Sequence, residues 1–75
     1  MNLTEVELSN FANSLGNGYV KPWKANAMLV RFAQIPEIVQ DRERLRKYVE
    51  NCLTMEGFTT EGCDAIAEFI FKTNT

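Results

Sequence analysis

Pro22-Trp23-Lys24-Ala25-Asn26-Ala27-Met28-Leu29-Val30-Arg31-Phe32-Ala33-Gln34-Ile35 is the stretch on which the fold turns. At about 100° per residue, the helical step, Ala25, Leu29, Phe32 and Ala33 share one side. Met28 and Ile35 widen that side in one direction, Val30 and Trp23 in the other. Only Lys24, Ala27, Arg31 and Gln34 line up as a narrow polar stripe. A helix that is apolar nearly all round belongs inside a fold, with neighbours on several sides. The stretch therefore predicts an all-α bundle of about four helices around a buried central helix, 22–35. On that reading Leu29→Ala costs about 2–5 kcal/mol, the range for a buried leucine.

Upstream, Thr4 with Glu7 three residues later is a capping-box pattern, and it opens a helix over about 4–15. Leu8, Phe11, Ala12 and Leu15 form its apolar stripe, with Val6 on the opposite side. Gly16-Asn17-Gly18 is the stop signal. Pro22 then suits the first turn of the next helix, where its missing N–H costs nothing.

Downstream, Pro36 ends the central helix and Pro36-Glu37 marks a new start. Two readings fit the segment from Pro36 to Glu56. Ile38 is in phase with Leu45, Val49, Cys52 and Leu53, which suits one helix over about 36–56. A short turn at 36–39 and then a helix capped by Asp41 suits the same residues. Glu56-Gly57-Phe58 has the pattern of a Schellman end, with Gly57 left-handed and Phe58 packing back on Leu53. Thr59 or Thr60 caps a last helix, whose strip is Cys63, Ile66, Ala67 and Ile70 with Phe69 beside it. The tail Lys72-Thr73-Asn74-Thr75 is expected to fray.

Composition narrows the function classes. A chain of 75 residues is read as one helical domain, 1–75. The net charge is −2, with both signs mixed. That disfavours nucleic acid, whose binding rests on neutralised phosphates, and no binding to generic duplex DNA tighter than about 10 µM is expected. The absence of histidine rules out a histidine-based triad or a His-bound metal. Cys52 and Cys63 do not form a Cys-x-x-Cys pair. One disulfide would be compatible with them, but both fall on apolar faces, where a buried free thiol is the plainer reading. Met1-Asn2-Leu3-Thr4-Glu5 does not read as a signal peptide, and no apolar run approaches the roughly 20 residues of a membrane span. A cytoplasmic location without membrane contact is the expectation.

Three surfaces carry the remaining signal. Tyr19, Lys21, Trp23, Lys24 and Arg31 join aromatic rings to positive charge. Aromatic and arginine side chains are enriched at protein interfaces, which makes this the candidate partner-binding patch. The plainer alternative is that Tyr19 and Trp23 seal one end of a small core. Arg42, Arg44, Arg46 and Lys47 resemble a nucleic-acid stripe when read along the chain. On a helix they split, Arg42 and Arg46 to one flank and Arg44 and Lys47 to the other, and Glu43 to Lys47 forms an i, i+4 pair. The segment from Cys52 to Ile66 invites a helix-turn-helix comparison. Its second helix carries Glu61, Asp64 and Glu68, which would repel phosphates.

No catalytic constellation, phosphate loop or metal cluster is present in the sequence, so neither enzyme activity nor a cofactor is expected. The reading is a small, non-enzymatic protein-binding module that acts as an adaptor, regulator or inhibitor. Chains of this kind are common among accessory proteins of phages and mobile elements. The alternatives are a nucleic-acid-associated regulator using 42–47, and a structural protein that self-associates into a homo-oligomer.

Overall fold

In the computed structural model, residues 2–74 are described; Met1 and Thr75, each included in an expectation above, lie outside them. Among the described residues there are five α-helices and no strand. They are α1 (Glu5–Ser14), α2 (Pro22–Gln34), α3 (Glu37–Gln40), α4 (Arg42–Leu53) and α5 (Thr60–Asn74). A single 3-10 turn, Thr54–Glu56, links α4 to the last connector. The all-α bundle is as the sequence predicts, with one more helix.

The local signals work as chemistry. Glu7 N–H donates to Thr4 Oγ1 at 3.2 Å, while Thr4 N–H donates to Glu7 Oε1 at 3.0 Å. The capping box thereby satisfies two donors that the first turn leaves without partners. The segment after Pro36 takes the second reading, a short helix and then a new one. Asp41 is extended, and its carboxylate accepts from Glu43 N–H at 3.0 Å and Arg44 N–H at 3.2 Å. A side-chain cap of this kind is worth about 1 kcal/mol, enough to favour a break over one continuous helix.

At Gly57, φ is +94°. Phe58 N–H reaches the Leu53 carbonyl at 3.3 Å and Gly57 N–H reaches that of Thr54 at 3.1 Å, which completes the Schellman motif. Thr59 is the cap of α5, accepting from Gly62 N–H at 3.0 Å. The tail departs from expectation: α5 continues through Asn74, with Thr73 Oγ1 donating to the Phe69 carbonyl at 2.8 Å.

The centre of the fold is the pair α4 and α5, which pack along each other more extensively than any other two helices. Leu45, Val49 and Leu53 from α4 and Cys63, Ile66 and Ile70 from α5 are almost wholly removed from water. Each of these leucine, valine and isoleucine side chains contributes about 1.5–3 kcal/mol of burial free energy. Phe11 of α1 stacks on Phe69 of α5, ring centroids 4.2 Å apart. Phe32 of α2 meets Tyr48 of α4 edge-on at 5.3 Å. Both cysteines are free.

This corrects the reading of 22–35 as the buried central helix. Only Ala25, Met28 and Phe32 of α2 are buried; Leu29 is half-buried, and Trp23, Ala27, Val30 and Ala33 face water. Helix α2 is a flanking helix with an ordinary buried stripe. Its other apolar residues lie outward, so counting apolar positions overestimated its neighbours.

Candidate functional site

The connector from Gly16 to Lys21 delivers the first residues of the candidate patch, and a polar clamp holds it. The Asn13 carboxamide accepts Val20 N–H through Oδ1 at 2.7 Å and donates to the Val20 carbonyl through Nδ2 at 3.2 Å. Ser9 Oγ, buried, donates to the same carbonyl at 2.7 Å. Val20 itself is fully buried, so its backbone groups need these partners. The sequence reading missed this clamp. The signal was there: Ser9 and Asn13, an i, i+4 polar pair, sit beside the stripe of Leu8 and Ala12.

Close packing holds the connector from below. A Cβ added at Gly18 would lie 2.5 Å from the Phe58 ring, which is buried. Phe58 is therefore a lid over the connector's backbone, and Gly18 is the residue that leaves room for it.

On this base the aromatic rings stand outward. Tyr19 is 57% exposed and Trp23 is 65% exposed. The plainer alternative, that they seal the core, fails on those values. Trp23, Ala27 and Val30 follow i, i+4, i+7 spacing, and all three are exposed, Val30 at 48%. They run down the side of α2 opposite Ala25, Met28 and Phe32. Lys21 and Arg31 are exposed and Lys24 is half-buried, so of the two cations on the polar stripe of 22–35 only Arg31 is fully open to solvent.

The charges are unevenly distributed. Arg46 of α4 pairs with Glu43 and Glu50 on its own helix and lies 3.8 Å from Asp64 of α5. The Glu43 pairing, first by hydrogen bond and then by charge, raises the Arg46 pKa. Arg42 reaches Glu68 of α5 at 3.0 Å and lies over the Phe71 ring at 4.5 Å. Lys72 also approaches Glu68, at 4.0 Å. Glu43 thus pairs with Arg46, one turn away, and the expected Glu43–Lys47 pair is not formed. Of the eight Lys and Arg residues, only these three reach a carboxylate within ion-pair distance among the described residues. Lys21, Lys24, Arg31, Arg44 and Lys47 do not.

Tyr48 marks where the flank of Arg44 on α4 meets α2. Arg44, Tyr48 and Asn51 follow i, i+4, i+7 spacing, and Lys47 borders the row. Burial holds the Tyr48 hydroxyl above the ordinary phenol range, the Cys52 thiol adds to that, and the Arg31 guanidinium opposes both. Phe32, the next residue along α2, meets the Tyr48 ring edge-on, so this part of α2 lies beside the flank of α4 that carries Arg44.

No group of three or more Cys, Asp and Glu among the described residues is placed to hold a metal ion. Burial pushes the Cys63 thiol pKa up, the Glu50 and Asp64 charges add to that, and a hydrogen bond with Thr54 opposes it. A cleft of about 270 Å³ is lined by Leu3, Leu29, Ala33, Pro36, Val39 and Asn74, its walls mainly apolar. No described helix is long and apolar enough to cross a membrane. No family model, curated protein or solved structure matches the chain.

Proposed function

We propose that this protein is a non-enzymatic binding module that acts by presenting the outward side of α2, with Tyr19, Lys21, Trp23, Lys24 and Arg31, to another protein. The observation that carries the reading is Trp23, 65% exposed on a helix whose core contacts lie on the other side. An exposed tryptophan contributes little to folding, yet tryptophan and arginine are the residues most enriched at interface hot spots. Adaptor, regulator and inhibitor are all ways of using such a face, and a cytoplasmic setting suits the free cysteines.

The nucleic-acid reading through 42–47 receives less support. Arg42 and Arg46, half of that segment's cations, are neutralised by carboxylates of α4 and α5. The test is affinity capture with three baits: the unaltered chain, Trp23→Ala, and Lys24→Glu with Arg31→Glu. Each bait is first shown by thermal melt to be folded. Proteins retained by the first bait and lost from both others support the reading. Retention equal on all three overturns it.

A further inference from the structure

The five cations without a carboxylate are not scattered. Lys21, Lys24 and Arg31 belong to the connector and α2, and Arg44 and Lys47 to the flank of α4 beside Tyr48, whose ring Phe32 of α2 meets edge-on. Residues 8–36 contain no Asp or Glu at all, although the whole chain carries ten. The outward side of α2 is therefore free of acids in a protein of net charge −2 and carries an outward apolar row; Arg44, four residues before Tyr48, extends it onto α4, while Lys47 lies one turn from Glu43.

We infer that the partner this surface takes is an acidic, amphipathic segment of another protein, its apolar side on Trp23, Ala27 and Val30 and its carboxylates toward Lys24, Arg31, Arg44 and Lys47. The inference rests on the protein-binding reading above and adds the partner's chemistry. Charge complementarity carries it: uncompensated cations at an interface steer acidic partners in and reject basic ones. A second copy of this chain meeting α2 with its own α2 fits less well, because α2 has no acid to offer its own cations. Nucleic acid also fits less well, since the chain's isoelectric point is near 5.0 and the row includes an alanine and a valine where bases would need rings to stack on.

Trp23 is the chain's single tryptophan, so its emission reports directly on this surface. The experiment titrates the intact protein with an amphipathic peptide of about 15 residues, four helical turns, with Leu on one face and Glu on the other. Its counterpart with Lys for Glu, a single-stranded oligonucleotide and the protein alone at rising concentration are the controls. The expected result is a blue shift with the acidic peptide and binding at least about tenfold tighter than the Lys peptide. The shift should weaken as salt rises. It should be lost in Lys24→Glu with Arg31→Glu and reduced in Arg44→Glu with Lys47→Glu, both melting like the unaltered chain.

Equal response to both peptides overturns the inference, because apolar contact alone would then explain binding. So does a response to the oligonucleotide that the acidic peptide lacks, or a shift with protein concentration alone, which would seat a second copy on the row. If capture of a native protein depends on Trp23 while the acidic peptide leaves emission unmoved, the protein-binding reading stands and the acidic chemistry falls. If capture ignores Trp23, the reading itself falls.

Discussion

Two seams of this molecule use the same residue types to opposite ends. Between α4 and α5, isoleucine, leucine and valine are buried, and the cations at the edge, Arg42 and Arg46, find carboxylates. Along α2, a tryptophan and a valine stand in water and the cations have no acid. The first seam is complete within the chain. The second is left open to solvent. The difference teaches that in a small bundle the location of an apolar residue, and not its count, separates folding from recognition.

The largest effect should come from the first seam. Ile66→Ala, at a position with no exposure, is expected to cost about 2–5 kcal/mol in a denaturant melt. A cost comparable to that of a surface change would erase the contrast between the seams.

Leu29→Ala sharpens it from the side of α2. The sequence alone assigns this leucine the full cost of a buried residue. Because it is half-buried at the rim of the cleft, about 1–2 kcal/mol is expected in the same melt. A loss as large as that of Ile66→Ala would restore α2 to the centre of the fold.

A smaller effect separates the cations. Arg46→Gln should lower the melting temperature more than Arg44→Gln, because only Arg46 meets carboxylates, those of Glu43, Glu50 and Asp64. In about 1 M salt, where screening reaches a few ångströms, the gap should close. A gap that persists would mean that the Arg46 stem, not its charge, holds the seam.

The smallest effect should be at the most conspicuous residue. Trp23→Ala is expected to change stability by no more than about 0.5 kcal/mol, the usual range for an exposed site. A clear loss in the thermal melt would turn the candidate patch back into core.

Much of the fold is legible in the sequence because its signals are local. Thr4 with Glu7, Asp41 before Arg42, and Gly57 with Phe58 each act within a few residues, and each behaves as its spacing implies. The role of α2 is not legible in the same way. Periodicity reports which residues share a side and is silent on whether that side meets protein or water, so Val30 reads as core. The split of Arg42 and Arg46 from Arg44 and Lys47 follows from helical phase. That the first pair meets Glu68 and Asp64 depends on α5, distant in sequence. The cluster from Tyr19 to Arg31 is found by residue type, and the exposure of Arg31 by its place on the polar stripe of 22–35; the half-burial of Lys24 is not.

The Asn13 clamp has one more consequence. Val20 lies in a connector, where amides ordinarily exchange with solvent deuterium through small local openings. Its N–H is held at 2.7 Å by a side chain and shielded by burial, so it should exchange as slowly as amides of α1. The segment carrying Tyr19 and Lys21 is then already ordered before any encounter. An incoming chain would meet a preorganised loop and would forfeit little conformational freedom of this protein on docking.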